Sequence, residues 1–494
     1  MKGDFSRETF DSVKHFSRVF QQQGRVQLDA DWNEQTAIVL HYLRTLAADL
    51  IGPFAGPQGV SGFEITAPTI DDFTIGKGRY YVDGILCENE QATSYKAQKD
   101  FPNLHENREA GTEYLVYLDV WERHITALED DYIREKALGG SDTATRTQVV
   151  WQVKIDDGKR ELIDGLPTGL NPGDVRSGWG KWIALWQPPR LGCLRARVDR
   201  PEDSNDPCLT APDAKYRGQE NQLYRVEIHK GSGGGPGDKA TFKWSRDNGA
   251  VVSRVVKLSG TELVVEKPLG FAAGNWVELS DDGQELRGEP GTLAKLLKVE
   301  GDRFTLESAA SPLIAVPKGE DWPTKVRRWD QRKSDSLVPK DDGAVDLTED
   351  EWLDLEDGIQ IQFMKGKNRT YRTGDYWLIP ARVDTGDIEW PVNLDDAGKK
   401  ILKDGKVDPI PQPPFGIWHH YAPLAILKAD LNLPVEDCRC VITSVLNGCG
   451  MSSSGIDGMG GPPLCGAATP MQISKASTKS EKAEASRRGK PKGV

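Results

Sequence analysis

Two hydrophobic periods meet near residue 31, and the change from one to the other marks the most definite element of the chain. From Arg25 to Asp31 apolar and polar residues alternate. Val26, Leu28 and Ala30 share one face, and Arg25, Gln27, Asp29 and Asp31 share the other. That pattern predicts a half-buried strand or an extended arm. From Trp32 the period lengthens. Trp32, Thr36, Val39, Leu40, Leu43, Leu46, Ala47 and Leu50 recur at steps of three and four, which is one stripe of an α-helix. Asp31 is the expected N-cap, with Glu34 three residues later as a capping-box partner, and Gly52-Pro53 the stop. The stripe predicts that Trp32, Val39, Leu43 and Leu46 are buried together, against the rest of the chain or against a partner. Ahead of it, Phe5, Phe10, Phe16 and Phe20 stand among polar residues. They predict an irregular arm held by aromatic anchors.

Beyond the helix the patterns are those of strands. Phe73–Glu90 reads as a hairpin unit around the Asp83-Gly84 turn. In Glu113–Thr126 both alternating faces carry large side chains, which predicts a central strand covered on both sides. Thr147–Ile155, Trp179–Trp186 and the segments flanking the Gly-rich tip Gly231–Gly237 also read as strands. Short apolar pairs separated by Gly, Asp and Pro between Leu263 and Leu306 predict a small inserted barrel or sandwich. Trp352–Pro391 adds an Asp-Gly turn and an aromatic strand ended by Pro380. The expected fold is mainly β: a multi-stranded antiparallel body with one N-terminal helix, a small inserted barrel-like domain and a disordered C-terminal tail. The expected segments are 1–55 (arm and helix), 56–258 and 311–446 (body), 259–310 (insert) and 447–494 (tail).

Composition narrows the function classes. Across 494 residues the formal net charge is -12, while the last 20 residues hold seven Lys or Arg and two Glu. An acidic body argues against nucleic-acid binding. No apolar run approaches the ~20 residues of a transmembrane helix, so direct membrane insertion is not expected. The start lacks a signal-peptide core, and seven scattered cysteines suit a reducing compartment. Cytoplasmic synthesis and assembly are therefore expected.

Candidate chemistry is sparse, and neither a catalytic site nor a cofactor is expected. Asp29, Asp31 and Glu34 read as a strand face followed by a helix cap rather than as an acid/base pair. Ser141, Asp142 and Thr143 lack a base at a defined position, with His124 the nearest histidine. The Gly-rich tip lacks the Gly-Lys-Ser/Thr of a phosphate loop. Adjacent His419 and His420 should point to opposite faces of a strand, one buried and one exposed. Cys438, Cys440, Cys449 and Cys465 are the candidate metal ligands, but their spacing departs from the paired Cys-x-x-Cys of structural zinc sites. Trp329, beside Arg327, Arg328 and Arg332, reads as a cation–π staple at the edge of the core. Trp244 and Trp329 are the candidates for a glycan-binding surface, should they be exposed.

Several long motifs carry a resemblance: VQLDADWNEQ, ALGGSDTATRTQVVWQV, ENQLYRVEIH, FKWSRDN and YRTGDYWLIPAR. With the opening MKGDFSRETF, they resemble an uncharacterised bacterial family whose genes sit among those of contractile injection systems and phage-tail-like particles. The resemblance covers residues 1–445 and is looser over 260–320. It implies a non-enzymatic structural or accessory component at or near a baseplate, as part of a released or membrane-docked particle. The implied partners are baseplate, tube or sheath proteins, and a homo-oligomer stays open. Phe5, Phe10, Phe16, Asp31, Trp32, Glu34 and Leu43 are the expected interaction or structural residues. A glycan-binding module and a carboxylate-dependent hydrolase are the alternatives.

Overall fold

The computed structural model describes residues 1–101, 112–156, 170–187, 190–198, 216–232, 239–307, 324–334, 336–366, 369–403, 406–428 and 433–442. The chain is mainly β, and Met1–Ile442 forms one compact unit. Cys449, Cys465, the basic tail and all of the Gly-rich tip beyond Ser232 lie outside the described residues.

The central strand is Tyr114–Ile125, buried on both faces from Tyr114 to Trp121. It pairs antiparallel with Arg146–Ile155 on one side and His420–Leu427 on the other. Against it lies a sheet of Val441–Ile442, Phe54–Pro57, Gly78–Val82 and Ile85–Asn89. One hydrophobic core, including Tyr80, Val82, Leu118 and Ile426, joins the two sheets. A second core lies between a five-stranded sheet containing Gln222–Lys230 and Tyr376–Arg382 and a three-stranded sheet containing Leu194–Val198 and Ile359–Phe363. The third core fills a closed six-stranded barrel, built from Val252–Ser259, Glu262–Val265, Trp276–Ser280, Thr292–Glu300, Arg303–Leu306 and Lys325–Trp329. Its first strand begins before the expected insert, and its last follows it.

The helix runs Asp29–Ile51. Its start differs from expectation: Leu28 occupies the cap position without a side-chain bond, and Asp31 lies inside the first turn. The preceding alternation is not a strand. Val26 is 82% exposed and pairs with no sheet, because Asp29 already belongs to the helix and no neighbouring edge receives the segment. The helix is seated on the hairpin turn. Asp83 and Gly84 both have positive φ, as a two-residue turn matched to strand twist requires. A Cβ on Gly84 would lie 2.3 Å from the Arg44 carbonyl oxygen, so glycine here also permits the helix to approach.

Trp179–Trp186 is a helix, not the expected strand. Its continuous apolar run fits either period. What decides is that Trp179, Trp182, Ile183 and Trp186 fall at i, i+3, i+4 and i+7, which places them on one face over the central sheet. Trp182 is fully buried, and Trp186 stacks on Tyr117 with ring centroids 3.8 Å apart. The Tyr376–Arg382 strand continues through Pro380 instead of ending there. No helix among the described residues is long and apolar enough to cross a membrane.

Candidate functional site

The N-terminal arm is laid across the body by polar bonds as much as by aromatic rings. The Met1 ammonium donates to the Tyr376 hydroxyl at 2.7 Å, and Arg225 and Asn248 donate to the carbonyls of Met1 and Gly3. Desolvation, reinforced by nearby Arg225, lowers that amine to about 5. Lys2 pairs with Glu227 at 3.1 Å, and Arg7 grips both oxygens of Glu389. Of the expected aromatic anchors, Phe5 meets His124 edge-on and Phe10 tilts against His41. Phe16 and Phe20 stay exposed.

The arm then ties itself to the helix. Asp29 accepts from the Ser6 amide, Glu34 from the Thr9 hydroxyl and Gln35 from the Val19 amide. Further on, Arg44 forms a two-bond pair with Glu122 of the central strand. Only Ala30 and Ile38 are fully buried on the helix. Two of the acidic trio, Asp29 and Glu34, therefore act as acceptors for the arm, and the three carboxylates do not converge.

The opposite face of the helix is apolar and not covered by the described chain, which removes the body as the cover expected for it. Trp32 is 72% exposed, Leu43 and Leu46 are each 57% exposed and Leu50 is 77% exposed. Val39, Leu40 and Tyr42 are exposed beside them. The helix thus has two non-polar sides. The small one, around Ala30 and Ile38, sits on the body. The large one, from Trp32 to Leu50, meets nothing in the described chain. The sequence stripe was legible, but a stripe names an apolar face without saying what covers it.

Carboxylates do converge elsewhere. Among the described residues, three of them (Glu129, Asp282 and Glu285) bring ligand atoms within 4.8 Å of one another. A metal would meet a cation already in place: the Lys325 ammonium pairs with all three, and Arg123 with Asp282 and Glu285. Burial opposes ionisation of Glu129 and Glu285, but Lys325 outweighs it and holds both carboxyls below their ordinary value. Lys325 is itself held above its usual value by these partners, against its burial. This is a closed ion cluster binding the barrel to the central sheet.

A second buried group joins Lys243 to Glu278 and Glu227, with Trp329 donating to Glu278 at 2.9 Å. Burial again opposes ionisation, yet Lys243 and Lys2 hold Glu278 at about 2. The cations over the Trp329 ring are Lys243 and Lys2 rather than the neighbouring arginines. Arg327 and Arg328 bond instead to Gly249 and Asp247. Trp244 and Trp329 are both fully buried, which removes them as a glycan-contacting surface.

The remaining candidates are also engaged elsewhere. His419 bonds Asp119 at 2.6 Å and His420 bonds Asp83 at 2.8 Å. The two face different carboxylates, but both are half-buried instead of one in and one out. His124 contacts Thr145, and burial beside the N-terminal ammonium and Arg327 lowers it to about 4. Ser141 donates to the Leu138 carbonyl. Cys438 is buried and Cys440 partly so, and burial pushes the Cys438 thiol up to about 12.

A family model described as Family of unknown function (DUF6519) matches residues 1–163 and 184–494. No curated protein and no solved structure matches the chain.

Proposed function

This chain belongs to the family of unknown function DUF6519, and from that premise we propose a non-enzymatic role: a structural or accessory component of a contractile injection system or phage-tail-like particle, placed at or near the baseplate and acting through protein–protein contacts. The observation that carries the contact role is the uncovered apolar face of the Asp29–Ile51 helix, with Trp32, Leu43, Leu46 and Leu50 all more than half exposed. Contiguous apolar surface of this kind marks an interaction site on a folded protein. The non-enzymatic part is supported by the carboxylate clusters, whose charges are already matched by Lys325, Arg123 and Lys243. The particle setting rests on the sequence resemblance alone.

The test is co-purification. Particles isolated from the producing cell should contain this chain at a fixed ratio to tube or sheath protein. The double variant Leu43→Glu/Leu46→Glu, folded as well as wild type, should be lost from them. A chain absent from purified particles, with complete and active particles formed without it, would remove the particle role.

A further inference from the structure

Six of the exposed residues of the helix follow a stricter rule than an amphipathic stripe. Trp32, Thr36, Val39, Leu43, Leu46 and Leu50 are separated by four, three, four, three and four residues. That is the alternating d-a spacing of a coiled-coil seam, about 3.5 residues per turn, where a face fitted to a globular surface has no need to keep so regular a repeat. The seam runs about 27 Å along the helix. We infer that it pairs with the same helix of a second copy of this chain, in antiparallel orientation.

The seam's composition selects this occupant. In an antiparallel pair every a position faces a d position, and here the set is symmetric about His41. Trp32 then meets Leu50 of the second copy, Thr36 meets Leu46, and Val39 meets Leu43, with the same three layers repeated by the two-fold axis. Each layer joins a leucine to a residue of different size or shape, which suits knobs-into-holes packing. A parallel pair would instead stack Trp32 on Trp32 and Thr36 on Thr36. It would also crowd Asp29, Asp31 and Glu34 of both copies at one end, and it would align the two helix dipoles unfavourably.

The flanks agree. Across an antiparallel seam Gln35 faces Asp49 of the second copy, Leu40 faces Leu40, Tyr42 faces Tyr42 and Asn33 faces Ala47. No like charges meet. Trp32, Leu43, Leu46, Leu50 and Tyr42, each more than half exposed, are the side chains that would supply the buried area such a pair needs, about 800 Å² per partner. The interface is isologous, so it closes as a pair and does not propagate. This inference rests on reading the helix face as a contact surface, but it concerns the free protein and needs no particle.

Light scattering of the purified full chain should give twice the mass of one 54.6 kDa chain. Leu43→Glu/Leu46→Glu should give one chain, with the thermal unfolding midpoint that the wild type has at a concentration low enough to dissociate the pair. Orientation is read from disulfides. Mixing a Trp32→Cys chain with a Leu50→Cys chain should yield a mixed intermolecular bond between those positions, mapped by mass spectrometry. Leu50→Cys alone should yield none, because its two copies would lie about 27 Å apart along the axis. A wild type that stays monomeric, a pair that survives the double Glu variant, or self-crosslinking of Leu50→Cys would each overturn the inference. A monomer that still enters particles through this helix would overturn the pairing and leave the proposed function standing. A pair that enters no particle would do the reverse.

Discussion

The two longest helices among the described residues carry their large apolar side chains to opposite destinations. Trp179–Trp186 sets its tryptophans over the central sheet, where Trp182 is fully buried and Trp186 stacks on Tyr117. Asp29–Ile51 turns Ala30 and Ile38 to the body and leaves Trp32, Leu43, Leu46 and Leu50 outside. The difference lies in how each is held. The first is held by its large apolar face. The second is held by Ala30 and Ile38, the Arg44–Glu122 pair and an arm that supplies hydrogen bonds to Asp29, Glu34 and Gln35. A helix secured by polar contacts and by Ala30 and Ile38 leaves its remaining large apolar residues exposed.

That comparison can be broken by substitution. Trp182→Ala should cost about 3–5 kcal/mol, read from denaturant unfolding, because the ring fills a closed site. Lys325→Met should be comparably severe, about 3–5 kcal/mol, since it leaves Glu129 without its cation and Asp282 and Glu285 with Arg123 alone. The same carboxylates set a pH limit on the body. Glu129, Glu278 and Glu285 have folded values below the ordinary 4.5. Their contribution is present above that pH and is lost as pH falls from 4.5 towards about 2, which an acid-unfolding series measures. Pairing through an uncharged seam should instead be unchanged from pH 8 to 5 and by added salt.

Smaller effects are expected on the exposed helix. Arg44→Ala should cost under about 1 kcal/mol, as half-exposed ion pairs do. Trp32→Ala should change the stability of the isolated chain by less than about 0.5 kcal/mol while weakening its association. A loss of several kcal/mol from Trp32→Ala in a dilute monomer would show that the ring is buried by the chain itself.

Much of the fold was legible because local chemistry decides it. The Tyr114–Ile125 strand followed from large residues on both faces, and the hairpin from Asp83-Gly84. The barrel showed in its short apolar pairs, although Val252–Ser259 and Lys325–Trp329 joined it from either side because closure is a long-range event. Trp179–Trp186 was misread as a strand because a run apolar at nearly every position fits both periods. The site was half legible. Sequence located the apolar stripe from Trp32 to Leu50, but its exposure depends on Ala30 and Ile38 winning the contact with the body. The Lys325 cluster left little local signal, since Glu129, Lys325 and the Asp282 and Glu285 pair of one short helix come from three separate segments. Trp244 and Trp329 showed the reverse limit: a tryptophan in an aromatic strand gives no sign of which side of the sheet it takes.

The most direct test of the central claim is hydroxyl-radical footprinting of Trp32 and Trp182 in the full chain, at low concentration and after assembly. Trp32 should be oxidised readily in the dilute monomer and protected on association, while Trp182 stays protected throughout. Protection of Trp32 already present in the dilute monomer would contradict the account, because the helix face would then be covered by its own chain.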